Sequence, residues 1–285
     1  MSLRVDLQPD QRAALAKLLT SPKYEMIPLK HAREQAAFLP SGASITVTAS
    51  PSKGMDATLD LAEVLTGAGF SLVPHISARQ VRDRAHLRSI LARLGSIGID
   101  RAFVVGGDAP ETGSFPDGFS LLREMAEIGH DLAEIGIPGY PEGHPFISDD
   151  DLLQALHDKQ SYAHYIATQM CFHPAAIIGW IRWVRSEGVE LPIHLGASGV
   201  SEITRLIEVA ASVGIGDSMR YLRKNSKLLG RLVRPGAYSA DVLLENLAAA
   251  MTAPAMAIEA IHIFTFNQVE TTQRWLRELI EALGY

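Results

Sequence analysis

The amino-acid sequence predicts an α/β fold, a (β/α)8 TIM-type barrel in which eight parallel strands alternate with helices. The first observation is a set of eight short runs of apolar and β-branched residues, most of them without clean alternation. Such runs are typical of strands that are covered on both faces. Amphipathic stretches separate the runs, which recur about every 25 to 35 residues. Eight such units close into a barrel, whereas five or six would form an open sheet.

The individual elements follow from the apolar pattern in chain order. The predicted strands are 24–29, 44–48, 71–76, 101–106, 134–139, 165–172, 192–197 and 260–266. Helical spacing of apolar residues predicts helices over 57–68, 77–94, 151–164, 177–187, 200–213, 240–251 and 269–283. The Arg- and Lys-rich stretch 214–235 is interpreted as an extra helical segment between strands 7 and 8. Because no Pro-, Gly- or Ser-rich linker divides the chain, residues 1–285 are expected to form a single domain.

The composition argues against several classes of partner. With 26 basic and 32 acidic residues the net charge is -6, which gives no footprint for nucleic acid or for an anionic membrane surface. No apolar run reaches the roughly 20 residues of a membrane span, and residues 1–20 lack the apolar core of a secretory signal. The single cysteine, Cys171, cannot form an internal disulfide, so a reducing compartment, the cytoplasm, is expected. The sequence does not determine the oligomeric state, and a homo-oligomer is one of the alternatives.

Active sites of parallel barrels lie at the carboxyl ends of the strands, and this rule selects the candidate residues. The polar residues at predicted strand ends are Glu25, Thr46, Thr48, His75, Gly106-Gly107-Asp108, Tyr140 to Pro145, Thr168-Gln169 and Thr265 to Asn267. The other histidines are dispersed and the acidic run at 149–151 lacks the spacing of oxygen ligands, so no metal site is predicted.

Glu25 stands out because it lies inside an apolar strand, where an unpaired carboxylate is costly. Burial raises the pKa of a carboxyl from about 4.3 toward neutrality, which suits a general acid. The alternative is a structural carboxylate paired with a Lys or Arg, and the residues leave both interpretations open.

Asp108 follows two glycines that let a backbone approach a ligand closely, and its carboxylate can accept hydrogen bonds from amide-like N–H groups. The alternative is a helix cap or an Asx turn. His75 is interpreted either as a site residue or as a hydrogen-bonded structural histidine. Cys171 reads as a small core residue, because no activating base is evident.

Taken together, the strand ends resemble the methylenetetrahydrofolate reductase family, over nearly the whole chain after about residue 22. The segment after strand 5, Tyr-Pro-Glu-Gly-His-Pro, is the most specific match. The matching motifs are Glu25 on strand 1, Pro74-His75 on strand 3, Gly107 to Pro110 on strand 4, Tyr140 to Pro145, Thr168-Gln169 on strand 6 and His262 to Asn267 on strand 8.

The resemblance implies a reductase that converts 5,10-methylenetetrahydrofolate to 5-methyltetrahydrofolate. NADH or NADPH would reduce a bound FAD, and the flavin would pass hydride to the methylene bridge. Glu25 would be the general acid, and Asp108 would hold the pterin and keep negative charge near the iminium cation. Further folate contacts are implied for Thr48, Gln169, Ile203 and Gln268. Cofactor contacts are implied for Thr48, His75, Gly106, Gly107, Asp108, Tyr140, His144, Asp151, Gln154 and Lys159.

Departures from the family pattern concern the flavin. Gly106 stands where the family usually has Arg. Among the phosphate contacts of the helix that enters strand 6 only Lys159 is kept, whereas Asp151 matches the start of that helix. Ile203 and Gln268 replace an aromatic residue and a folate-tail Arg. Two redox routes therefore remain: FAD with substitute contacts such as Arg79 or Lys159, and direct hydride transfer from the nicotinamide to the folate. A pterin-binding barrel of methyltransferase type and a non-catalytic binding module are the alternatives without redox activity.

Overall fold

Eight parallel strands form a closed barrel in the structure, a computed structural model that describes residues 6–50, 52–109, 112–202 and 237–285. Each strand pairs with its neighbour in the chain, and the last strand pairs with the first. The strands are β1 (Lys23–Met26), β2 (Ser44–Val47), β3 (Ser71–Ser77), β4 (Arg101–Val105), β5 (Glu134–Gly139), β6 (Tyr165–Thr168), β7 (Ile193–Ser198) and β8 (Ile258–Phe264). The predicted (β/α)8 barrel is confirmed.

The helices cover the outside of the barrel because each buries one apolar face. In the helix Pro174–Ser186, for example, Ile177, Trp180, Ile181 and Val184 recur at helical spacing and are buried. The helices of the described residues are α1 (Pro9–Thr20), α2 (Ala32–Ala36), α3 (Gly54–Gly67), α4 (Arg84–Ser96), α5 (Gly118–Ile128), α6 (Asp149–Lys159), α7 (Pro174–Ser186), α8 (Asp241–Met251) and α9 (Val269–Leu283). None of these helices has the length and apolarity to cross a bilayer.

All eight predicted strands overlap observed ones, but some helices differ from the prediction. The single helix predicted over 77–94 is wrong: β3 continues to Ser77, and α4 begins only at Arg84. The reason is a local cap, because the Asp83 carboxylate accepts a hydrogen bond from the backbone N–H of His86. The sequence pattern also missed α1, α2 and α5.

The connection from β7 to β8 starts differently from its prediction. The helix predicted over 200–213 is wrong at its beginning, because Ser201–Glu202 forms a short antiparallel pair with Ala237–Tyr238. The rest of that helix, and the extra helical segment predicted over 214–235, lie outside the described residues.

The apolar residues of the fold occur in two separate clusters. The larger cluster joins the outer faces of the strands to the helices. Among the residues that the structure describes, the smaller one contains Val73, Phe103, Tyr165 and Ala167, with Val105 packed against it, and all five lie on strands. Because Phe103 on β4 also lies 6.3 Å from His262 on β8, across the barrel, this small cluster occupies the interior. The interior therefore has little apolar filling, and polar side chains take the remaining positions.

Candidate active site

Glu25 lies next to the last residue of β1, with its side chain inside the barrel and 16% exposed. Its Oε2 atom is 3.0 Å from Nε2 of His262 on β8 and 3.8 Å from Nε2 of His75 on β3. The Thr265 hydroxyl donates to the backbone carbonyl of Glu25 at 2.6 Å. Three strands thus hold one carboxylate between two imidazoles at the end of the barrel where parallel barrels carry their chemistry.

The charge state of Glu25 differs from the sequence-based expectation. Burial acts to raise the pKa of the carboxyl, but the hydrogen bond with His262 and the charges of His262 and His75 outweigh it. The pKa of Glu25 therefore lies below its ordinary value, and the expected rise is wrong. A Lys or Arg partner is also wrong, since the partners are imidazoles. Sequence could not show this because His262 is 237 residues away.

The end of β8 is fastened to the segment that follows β1. The Asn267 side chain accepts from the backbone N–H of Ile27 and donates to its carbonyl, both at 2.9 Å. Phe266 and Asn267 have positive φ angles of 49° and 57°, so the chain turns sharply directly after β8. This double hydrogen bond positions Glu25 relative to His262, because the two residues lie on the joined strands.

The loop after β4 presents Asp108 as an exposed side chain. The helix-cap interpretation is wrong, because α5 is capped by Asp117, which accepts from the backbone N–H of Ser120. Gly107 has φ 90°, and a Cβ there would overlap the hydroxyl of Ser77. Tyr140 lies nearby: burial and then the negative charge of Asp108 raise the pKa of its hydroxyl to about 12. Asp108 therefore does not cap α5, and its carboxylate lies close enough to Tyr140 for its charge to act on the hydroxyl.

Thr48 and Gln169 also lie near the ends of the strands. The Thr48 N–H donates to the carbonyl of Met26 at 3.0 Å, beside the end of β1. The Gln169 N–H donates to the carbonyl of Gly139 at 2.7 Å, and its side-chain Oε1 accepts from the N–H of Met170. The amide nitrogen of Gln169 is therefore the group that it can offer to a ligand.

The remaining predicted site residues that the structure describes lie in the loops and helices that follow the strands. The His144 ring is 5.3 Å from that of Tyr140, edge to face, in the loop after β5. Asp151 and Gln154 are exposed on α6, and Gln268 occupies the N-cap position of α9. Gly106 follows β4 directly. Ile203 lies outside the described residues.

The residues of α6 test whether the chain suits the diphosphate of FAD. Three aspartates, 149 to 151, fill the first turn of α6, and Gln154 donates to the carboxylate of Asp158 at 2.8 Å. Burial lowers the pKa of Lys159, while the nearby charges of Asp117 and Asp158 act to raise it. Arg79 donates its Nε to the carbonyl of Ala109 at 2.7 Å. The first turn of α6 carries three carboxylates, and the carboxylates of Asp117 and Asp158 act on Lys159, so α6 does not fit a diphosphate.

Several interior residues were missed by sequence reasoning as parts of the site. The sequence pattern identifies His262 only as part of a motif and leaves His194 among the dispersed histidines. Spacing by two could have found some of them, because Lys23 and Glu25 on β1 share a face, as do His262 and Phe264 on β8.

Two buried histidines, His75 and His194, predict that the free energy of unfolding decreases in acid. The pKa of His75 is lowered to about 4 and that of His194 to about 2, in both cases mainly by burial. Below pH 6.5 the unfolded chain gains protons that the folded protein does not bind. Stability that is fully present above pH 6.5 is therefore lost as the pH falls, by about 1.4 kcal/mol per pH unit for each imidazole.

Urea unfolding between pH 7.5 and 5 measures this slope. We expect His194→Phe, which keeps a ring against Tyr165, to remove about half of it. Replacing the exposed His31 with Gln serves as the control and is expected to leave the slope unchanged. Equal slopes for all three proteins would contradict the burial of a neutral His194.

The fold and the site define a (β/α)8 barrel with a carboxylate between two imidazoles at the carboxyl ends of its strands. The family model for methylenetetrahydrofolate reductase matches residues 21–279, and the chain belongs to this family. Methylenetetrahydrofolate reductase 1 of Schizosaccharomyces pombe is 32% identical over 139 residues, which are 46% of this chain and 22% of that protein. Methylenetetrahydrofolate reductase 2 of Saccharomyces cerevisiae is 32% identical over 91 residues, 30% of this chain and 15% of that protein.

These two relatives are much longer than the aligned segments, so the chain matches less than a quarter of either. Among solved structures, a phosphonopyruvate hydrolase in complex with oxalate and Mg²⁺ resembles the chain with a TM-score of 0.48 and 10% identity. The alignment covers 95% of this chain and 85% of that chain. Nothing about function follows from a similarity at this level.

Proposed function

We propose that the protein reduces 5,10-methylenetetrahydrofolate to 5-methyltetrahydrofolate with hydride from a nicotinamide nucleotide. The observation that carries the proposal is the Glu25 carboxylate, held 3.0 Å from His262 at the barrel mouth of a chain in this family. Reduction of a methylene bridge between two nitrogens needs a proton for the departing nitrogen and negative charge near the iminium that forms. One carboxylate with an imidazole as proton partner provides both.

The role of Glu25 follows from its surroundings. In the protein without ligands the lowered pKa keeps the carboxyl ionised. A folate above it would displace water, and loss of solvation raises the pKa of a carboxyl. Glu25 then takes the proton of His262 Nε2 and donates it to the folate nitrogen. After this transfer the carboxylate faces the iminium and stabilises its positive charge until hydride arrives.

Asp108 and Gln169 supply complementary hydrogen-bonding groups for the pterin. The exposed Asp108 carboxylate accepts from the amide and amino N–H groups of a pterin edge, and Gln169 donates through its amide nitrogen. Thr48, beside the end of β1, would add a hydroxyl at the rim. These roles orient the methylene carbon toward the hydride donor.

The carboxylates in the first turn of α6 disfavour the diphosphate of FAD, which favours direct hydride transfer from the nicotinamide to the folate. The purified protein is therefore expected to be colourless and to oxidise NADH or NADPH when methylenetetrahydrofolate is added. The measurement is the visible spectrum combined with nucleotide oxidation, which is followed by the loss of the absorbance of the reduced nicotinamide. A stoichiometric yellow flavin would overturn the direct route and leave the reductase proposal intact. Folate binding without nucleotide oxidation would favour the methyltransferase type of barrel instead.

A further inference from the structure

A line of polar side chains runs through the inside of the barrel below Glu25. Barrels of this type usually fill their interior with branched apolar residues, so polar groups there are a departure with a desolvation cost. The residues of this line, here called the axial residues, are Lys23, Glu134, Tyr165, His194 and His262.

The line begins at the N-terminal end of the barrel. Lys23 and Glu134 are the first residues of β1 and β5 and form an ion pair. These two strands are not neighbours in the sheet, so the pair spans the interior. The Lys23 side chain is 11% exposed, whereas that of Glu134 is 29% exposed and lies 3.7 Å from Arg101. Glu134 is therefore the contact of the line with solvent.

The middle of the line consists of stacked rings. The Lys23 ammonium lies 3.9 Å from the centre of the Tyr165 ring, and Tyr165 stacks on His194 with the ring centres 3.9 Å apart. The Tyr165 hydroxyl and His194 Nδ1 are buried and find no hydrogen-bond partner among the described residues. Buried polar atoms in this situation are usually satisfied by ordered water.

The upper end of the line is His262, which is the register partner of Lys23 on the neighbouring strand. His262 Nε2 faces Glu25, while its Nδ1 is buried and has no partner within the part of the chain that the structure describes. Burial, together with the charges of Lys23 and His262, lowers the pKa of His194. His194 therefore stays neutral, and a neutral imidazole can accept a proton at one nitrogen and release one from the other.

We propose that the axial residues, with bridging water, conduct protons from the N-terminal end of the barrel to Glu25. This proposal rests on the proposed function, because each reduction consumes one proton. The folate and the nucleotide would cover the mouth during turnover, and a route from the opposite end resupplies Glu25 while they are bound. The route gives a physical reason for the polar side chains in an interior that has few apolar ones.

Each proton is accounted for along the route. Hydride passes from the nicotinamide to the methylene carbon, and Glu25 gives its proton to the folate nitrogen. Glu25 has taken this proton from His262 Nε2 as His262 Nδ1 accepts one from water, which leaves the imidazole neutral with its proton on Nδ1. A flip of the His262 ring returns a proton to the Nε2 position before the next turnover. That water regains its proton from the Lys23 ammonium through the water that bridges Tyr165 and His194. Lys23 then regains its own proton from solvent through Glu134.

Tyr165→Phe tests the proposal, because it removes the hydroxyl and keeps the ring between Lys23 and His194. We expect kcat to fall by roughly threefold to tenfold, less than the loss of the acid itself would cause, with KM for both substrates unchanged. The solvent deuterium isotope effect should increase. The isotope effect with nicotinamide deuterated at the transferred position should decrease toward 1, since proton supply becomes rate-limiting. Lys23→Met should act in the same direction.

Tyr24→Phe is the matched control, since its hydroxyl bonds to Gln273 of α9 outside the barrel. Its isotope effects should equal those of the wild type. A Tyr165→Phe protein with unchanged isotope effects would overturn the proton route and leave the reductase intact. A wild type without turnover would instead overturn the proposed function and the route with it. A crystal structure provides a measurement without turnover: water bonded to the Tyr165 hydroxyl or His194 Nδ1 supports the route, and a dry interior contradicts it.

Discussion

Replacing Glu25 with Gln is expected to lower kcat by about 10² to 10⁴-fold, the contribution of a positioned general acid. Gln has nearly the same size and still occupies the place between His75 and His262, but its amide has no carboxyl proton to donate. Folate and nucleotide binding should therefore be largely kept. Steady-state kinetics and equilibrium binding of the folate, measured on the same preparation, separate the two effects.

Glu259→Gln provides the control for this result. Glu259 is an exposed residue of β8, the strand that carries His262, so the same chemical change is made outside the site. Its kcat should match that of the wild type. A Glu25→Gln protein whose kcat stays within about twofold of the wild type would remove Glu25 from the role of acid. Loss of binding together with kcat would point to a structural carboxylate.

Replacing Gly196 with Ala is expected to lower the free energy of unfolding by about 3 kcal/mol, at the upper end for overpacking. A Cβ at Gly196 on β7 would overlap the backbone carbonyl oxygen of Thr168 and lie 2.9 Å from the ring of Phe264. The backbone has little room to move, because the Gly196 N–H donates to the Thr168 hydroxyl at 2.8 Å. Urea unfolding of both proteins measures the difference.

Gly179→Ala tests whether this cost comes from crowding. Gly179 lies within α7, and a Cβ there would meet no atom within 4 Å. Because glycine is unfavourable inside a helix, this change should stabilise the protein by about 0.5 to 1 kcal/mol. If Gly196→Ala were tolerated equally well, the close approach of β6 and β7 would be refuted.

The strands could be predicted because their information is local. Strands such as β4 and β6 are largely buried, so their sequences are near-continuous apolar or β-branched runs wherever they pair. Helix boundaries are harder to predict from the sequence. The break before α4 depends on one hydrogen bond of Asp83, and α5 has a cap whose residues, Asp117 and Ser120, are also common in loops.

The sequence predicts where the candidate site lies but not the charge state of Glu25. The strand-end rule and the family resemblance selected Glu25, Asp108 and Gln169, and their roles in catalysis and binding remain predictions. The pKa of Glu25 was expected to rise because a buried carboxyl in isolation is desolvated. It is lowered because two imidazoles from other strands contact it. A pKa is set by neighbours in space, which an apolar run does not reveal.

The sequence by itself determined the eight strands, their order and the carboxyl-end residues, since each depends on local pattern. Only the tertiary structure decided which side chains meet. Closing the barrel brings His262 on β8 to Glu25 on β1 and places Lys23 against Tyr165, pairs separated by about half of the chain or more. The physical reason is that strand closure, and not chain proximity, sets the distances across the interior. Those distances determine the charge of Glu25 and the polar line beneath it.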